Sequence, residues 1–136
     1  MKMHPLRVYI VDDSLIVFAP LRDLVESTGA EVVGHSLGAA EAIDEIAKET
    51  PDVVILDVAL TEGNGFGVLK AITCRESRPI VYFLSNHDEA PYRAQASVLG
   101  ADGFFSKDKE MTALVESLAA LVNARAEAQL GLIAAR

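Results

Sequence analysis

Four short runs along the chain are apolar at nearly every position. They are Val8-Tyr9-Ile10-Val11, Val53-Val54-Ile55-Leu56, Ile80-Val81-Tyr82-Phe83-Leu84 and the weaker Gly103-Phe104-Phe105. They are rich in β-branched and aromatic residues and too short for helices. Runs apolar on both faces suit strands of a parallel sheet covered on both sides. Glu31-Val32-Val33-Gly34-His35-Ser36 is more polar and reads as an edge strand. Between these runs the apolar period lengthens to about 3.6 residues, the helical value. Val17, Leu21, Leu24, Val25 and Thr28 mark one helical face, and Ala39, Ile43, Ile46 and Ala47 a second. Phe66, Leu69, Ile72 and Thr73 mark a third, and Tyr92, Ala96 and Leu99 a weaker fourth. Met111, Leu114, Val115, Leu118, Leu121 and Val122 mark a strong fifth. Gly29, Pro51, Pro79 and Gly100 fall at or near the helix exits, where breakers belong. Strands alternating with helices predict a (βα)5 chain. This is a doubly wound α/β fold, with a five-stranded parallel sheet, right-handed crossovers and helices on both faces.

Pro20 interrupts the first helical pattern and predicts a kink or a late helix start. One domain is expected over residues 1–124. Residues 125–136 are expected to be either an extension of the last helix or a C-terminal tail. Gly131 weakens that segment, and Leu130, Leu132 and Ile133 are apolar positions expected to be partly exposed.

Length and composition narrow the class. The 136 residues suit one domain, and a chain of about 150 residues buries ~70% of its unfolded surface. An apolar content of 51% argues against disorder. No apolar run approaches the ~18 residues of a membrane span. The start, Met1-Lys2-Met3-His4-Pro5, is not expected to be a signal peptide. Cys74 is the only cysteine, which excludes an intrachain disulfide and a multi-cysteine metal site. The net charge of −8 disfavours a nucleic-acid surface, which needs a basic patch. The expectation is an acidic cytoplasmic protein whose partners are proteins.

In a parallel sheet all strand C-termini share one edge, and ligands bind outside it. The polar residues that close the apolar runs are therefore candidate site residues: Asp12-Asp13-Ser14, Asp57, Ser85-Asn86 and Ser106-Lys107. Singly, each has an ordinary role. Asp12 and Asp13 suit helix capping, Asp57 a turn, Ser85 a strand-end hydrogen bond and Lys107 solvation. Together they bring three carboxylates, a hydroxyl and an ammonium to one edge. Carboxylates packed together repel, and a hard divalent cation relieves this. Oxygen-only ligands, with no His or Cys nearby in sequence, suit Mg²⁺ over zinc. A cation held by a few carboxylates commonly bridges to phosphate, and Lys107 and Ser85 are donors for phosphate oxygens. The set points to a phosphoryl group beside Mg²⁺. It disfavours a flavin mononucleotide site, whose phosphate wants a loop of amide donors where Asp12-Asp13 stands.

At these residues the sequence resembles the receiver domain of two-component response regulators, of the stand-alone chemotaxis-regulator kind. The resemblance runs from about Leu6 to the end of the fifth helix. It rests on an ordered set: Val11-Asp12-Asp13-Ser14, Ile55-Leu56-Asp57, Leu84-Ser85 and Gly100-Ala101-Asp102-Gly103-Phe104-Phe105-Ser106-Lys107, with Gly65 where the family places a glycine. The resemblance implies a flavodoxin-like sheet in the strand order 2-1-3-4-5. It implies that Asp57 is the phosphoacceptor of a non-enzymatic domain, able at most to phosphorylate and dephosphorylate itself. Mg²⁺ would be held by Asp12, Asp13, Asp57 and the Ala59 backbone carbonyl. Ser85 and Lys107 would contact the phosphoryl oxygens, and Phe104 would be the switch aromatic, whose rotamer follows the hydroxyl residue. A sensor histidine kinase or phosphotransfer protein would be the donor and another protein the output. Helices four and five would offer a homodimer surface.

The sequence departs from the family pattern in places. Asn86 follows Ser85 where a small residue is preferred, which predicts narrower access to Asp57. Thr61 replaces a common proline, which predicts a more mobile loop. Asp108 replaces the frequent proline after Lys107, where a cis bond would then cost ~3 kcal/mol. Ala59 and His87 lie where the family tunes dephosphorylation. The alternative reading is a pseudo-receiver, a protein-binding module that keeps the shape without phosphorylation. An aspartyl-nucleophile phosphatase is disfavoured, because Val58-Ala59 after Asp57 supplies no second carboxylate. With no second domain and no basic helix in it, the chain is not expected to bind DNA alone.

Overall fold

The computed structural model describes residues 4–134, with side chains as far as residue 131. Strands β1 (Arg7–Val11), β2 (Glu31–Ser36), β3 (Val53–Leu56), β4 (Ile80–Ser85) and β5 (Gly103–Ser106) alternate with five helices. These are α1 (Leu15–Glu26), α2 (Ala39–Glu49), α3 (Gly65–Thr73), α4 (Ala90–Val98) and α5 (Met111–Ala134). Every strand pair is parallel, and the sheet runs β2-β1-β3-β4-β5. The doubly wound sheet is as the apolar runs predict. The polar β2 takes one edge and the weak β5 the other.

Alternation along each strand divides its side chains between two cores. Val8, Ile10, Val53, Ile55 and Leu84 pack with Leu21 and Val25 of α1 and Leu114 and Leu118 of α5. Tyr9, Val11, Val54, Leu56, Val81 and Phe83 pack with Ala42, Ile46, Leu69, Ile72 and Ala96 of α2, α3 and α4. Burying each large aliphatic side chain contributes about 1.5–3 kcal/mol relative to exposure.

The helices are rotated slightly from the expected faces. Leu24 is 39% exposed rather than buried. At about 100° per residue, the buried stripe of α1 centres on Leu21 and Val25 and turns toward Phe18, which leaves Leu24 outside its margin. In α2, Ala42 is buried and Ala47 is exposed, because Ala47 sits about 100° around from Ile46. Pro20 does not delay the helix. α1 begins at Leu15, where the Ser14 hydroxyl accepts the Val17 N–H, and runs unbroken through Pro20. Pro20 and Ile16, whose carbonyl loses its partner, are both exposed, so water is at hand.

At Gly34 a Cβ would lie 2.4 Å from the Tyr9 ring, so a side chain there would displace it. The β1–β2 register shifts by one residue just before Tyr9, as close backbone approach at a strand glycine often requires. The Tyr9 hydroxyl hydrogen-bonds that of Ser36, which also bonds Glu41 at 3.2 Å.

α5 continues to Ala134 as a 24-residue helix, about 36 Å long at 1.5 Å per residue. Arg125 anchors this stretch, donating to the His4 carbonyl at 3.0 Å and pairing with Asp52 at 3.5 Å. Leu130 is exposed; the side chains of Leu132 and Ile133 lie outside the described residues. Among the described residues, no helix is long and apolar enough to cross a membrane.

Candidate functional site

The ladder continues one residue past several strands and aims the side chains there. Asp12 N–H donates to the Ser36 carbonyl at 3.1 Å, Asp57 N–H to that of Val11 at 2.9 Å, and Lys107 N–H to that of Ser85 at 3.1 Å. Asp12, Asp13, Asp57, Ser85 and Lys107 therefore meet at one edge. Lys107 Nζ donates to Oδ2 of both Asp12 and Asp57, each at 2.8 Å. Ser85 Oγ donates to Asp57 Oδ1 at 2.6 Å, and the Ala59 N–H approaches the same oxygen at 3.4 Å. The remaining Asp12 oxygen accepts the Ser14 N–H at 2.8 Å. Ser85 Oγ accepts the His87 N–H at 3.1 Å. Asp12, Asp57 and Ser85 are buried, while Asp13 is exposed.

Burial raises the Asp12 carboxyl above its usual range, although the Lys107 and Ser14 hydrogen bonds oppose this. Burial alone would lower the Lys107 ammonium. The hydrogen bonds and charges of Asp12 and Asp57 outweigh it and hold the lysine above its usual value. One oxygen from each of Asp12, Asp13 and Asp57 lies within 4.8 Å of the others. Three carboxylates against one ammonium leave a formal charge of about −2, which one divalent cation neutralises. The donors are hard oxygens, so the residues present fit Mg²⁺.

The loop after Asp57 is pinned, contrary to the mobility expected from Thr61. Its N–H and hydroxyl both donate to the Leu37 carbonyl, at 3.1 and 2.9 Å. A proline there would lack both donors. Next to it, the Glu62 carboxylate accepts the N–H groups of Ala39 and Ala40 at 3.0 and 3.2 Å. The N-cap of α2 is Gly38, which has no capping side chain, so Glu62 fills that role from another loop. Gly65 lets α3 start hard against the site. A Cβ there would lie 2.2 Å from the Asp57 carbonyl oxygen and 2.8 Å from Phe83. An open cleft of about 430 Å³ lies beside the site, between Ala59, Phe66, His87 and Tyr92. Asn86 is exposed.

Phe104 stands apart from the acidic cluster. It is half-buried, in register with Phe83, and the ring centroids are 5.6 Å apart. The Arg93 guanidinium carbon lies 4.9 Å from the Phe104 ring centroid. Arg93 also donates to the Asp88 and Phe104 carbonyls at 3.0 and 3.3 Å and pairs with Glu110. Glu110 in turn accepts the Ser106 N–H at 3.0 Å. The Arg93 and Ser106 hydrogen bonds hold the Glu110 carboxyl below its usual range. Sequence reasoning missed Arg93, Glu110 and Glu62, and read Thr61 only for the proline it replaces. Each acts across elements distant in the chain, and neither spacing nor periodicity marks them.

The sequence matches a family model described as response regulator receiver domain over residues 8–119. Chemotaxis protein CheY of Thermotoga maritima is 29% identical over 112 residues, 82% of this chain and 93% of that protein. Sensory transduction protein LytT of Bacillus anthracis is 29% identical over 114 residues, 83% of this chain and 46% of that protein. The chain thus spans less than half the length of LytT and of several other curated relatives. Among solved structures, the signal receiver domain of NarL from Mycobacterium tuberculosis superposes with a TM-score of 0.79 at 29% identity. That match covers 88% of this chain and 98% of the other. With its strand order, its acidic edge and a family match over most of its length, the chain belongs to the receiver-domain family of two-component response regulators.

Proposed function

We propose that the chain accepts a phosphoryl group on Asp57 from a sensor histidine kinase or phosphotransfer protein, in a Mg²⁺-dependent reaction, and signals through the surface change that follows. The observation that carries this reading is the pairing of both Asp57 oxygens, Oδ1 with Ser85 and Oδ2 with Lys107. A carboxylate has about four lone-pair sites, so these bonds orient Asp57 and leave lone pairs for attack. One Asp57 oxygen attacks the phosphorus of a phosphohistidine. The P–N bond breaks, the imidazole leaves with the electron pair and takes up a proton, and Asp57 becomes an acyl phosphate.

The protein contributes position and charge more than covalent chemistry. A phosphoryl group of about −2 joins Asp12 and Asp13, and Lys107 alone leaves the site at roughly −3. Asp12, Asp13, Asp57 and the Ala59 carbonyl would hold Mg²⁺, which would supply the missing positive charge. Lys107 and Ser85 already sit on Asp57 as donors for the phosphoryl oxygens. As the new group draws Ser85 inward, the change passes along β4 to its neighbour β5, where Phe104 lies under Arg93. An output protein in the cytoplasm would read that surface.

Incubation with acetyl phosphate and Mg²⁺, followed by intact-protein mass spectrometry, tests the reading. A gain of one phosphate is expected, lost in EDTA and in Asp57→Asn. No gain on the wild type would leave the protein-binding-module reading, and a gain that persists in Asp57→Asn would place the acceptor elsewhere.

A further inference from the structure

The end of β2 grips Asp12 from two sides. Ser36 accepts its N–H, and His35 donates Nε2–H to its carbonyl at 2.8 Å. That bond requires a hydrogen on Nε2 and so selects the tautomer. The His35 ring lies flat on Phe18 of α1, with centroids 4.0 Å apart and planes within 5°. Phe18 packs in turn against the core that holds Leu21 and Val25. Helix, edge strand and acidic edge are thereby joined through one imidazole.

We infer that His35 is a positioning residue for the cation site: stacked on Phe18, it clamps the Asp12–Asp13 peptide and so sets the direction of the Asp13 carboxylate. The inference rests on reading the acidic cluster as a Mg²⁺ centre. A peptide unit is planar. Holding the Asp12 carbonyl therefore fixes the plane that carries the Asp13 nitrogen. The Asp12 carboxylate has its own supports in Ser14 and Lys107. Asp13 is exposed and has the backbone beneath it as its guide. Losing a residue that orients a metal ligand typically weakens metal binding 10–100-fold.

Two substitutions separate positioning from packing. His35→Phe keeps an aromatic ring on Phe18 and removes the donor. His35→Gln places an amide nitrogen near Nε2 and restores the donor. Mg²⁺ affinity by calorimetry, with the thermal midpoint in EDTA as control, is measured on the full chain. His35→Phe should weaken Mg²⁺ binding about 10-fold, with a metal-free midpoint within about 2 °C of wild type. His35→Gln should return affinity to within about 3-fold of wild type, less than 1 kcal/mol. Unchanged affinity in His35→Phe, no rescue by His35→Gln, or a midpoint that falls along with affinity would each overturn the inference. A wild type that binds no Mg²⁺ would overturn the reading of the cluster itself, and the inference with it.

Discussion

Lys107 and Asp57 form an ion pair at 2.8 Å in which the lysine side chain is 11% exposed and the carboxylate 7%. The same ammonium also serves Asp12, so one cation answers for three carboxylates. The metal-free site is therefore charged against itself. Asp13→Asn should raise the thermal midpoint in EDTA, because one carboxylate of a repelling cluster is removed. The same variant should lose most of the Mg²⁺-induced stabilisation, which for the wild type is about 2.7 kcal/mol at 100 times the dissociation constant. Thermal unfolding of both proteins with and without Mg²⁺ checks the two opposite signs together.

Glu62 caps α2 from outside that helix, so its removal should be felt in α2. Glu62→Ala is expected to cost about 1 kcal/mol, the usual worth of a helix cap. Hydrogen exchange should quicken at Ala40, whose N–H donates to the Glu62 carboxylate, whereas Ala39 keeps its bond to the Glu62 main-chain carbonyl at 2.9 Å. Equal protection at Ala40 in the variant would contradict the cap.

Glu110 gives stability one acid-range pH dependence. Its folded pKa is lowered, first by the Arg93 hydrogen bond and then by the Ser106 N–H. A lowered carboxyl contributes stability that is present above the unfolded value of about 4.3 and is lost as pH falls through the folded value. The stability gap between wild type and Glu110→Gln should therefore hold from pH 7 to about 5 and close at lower pH. Denaturant unfolding across that range measures the gap. A constant gap would mean that the Arg93–Glu110 pair has no electrostatic part.

Ser106 is in register with Ser85, and among the described residues its hydroxyl is buried without a hydrogen-bond partner. An unsatisfied buried polar group costs about 1–3 kcal/mol. Ser106→Ala should leave stability unchanged or raise it by about 1 kcal/mol, read as a rise of about 3 °C in the midpoint. A clear fall would show that the hydroxyl finds a partner in solution.

Much of the fold was legible because a parallel sheet buries its inner strands on both faces, and such strands announce themselves as unbroken apolar runs. The cluster was legible for a related reason. Parallel strands end on one edge, so Asp12, Asp57, Ser85 and Lys107 could be gathered by topology before any distance was known. What escaped depends on helix rotation and on contacts between loops. Leu24 lost its place to Phe18 because a small turn of α1 decides between them. Thr61 suggested looseness by its lack of a proline ring, yet its two donors find Leu37. His35 reads as an ordinary residue of an edge strand until Asp12 and Phe18 are seen on either side of it.

The claim that Asp57 receives a phosphoryl group from a histidine is tested most directly by phosphotransfer. Each histidine kinase of the source organism is autophosphorylated with labelled ATP and mixed with the wild-type chain or with Asp57→Asn, in Mg²⁺ and in EDTA. Label should pass from at least one kinase to the wild type within the Mg²⁺ arm, and to neither protein without the metal. Label on Asp57→Asn, or none on the wild type from any kinase, would contradict the account.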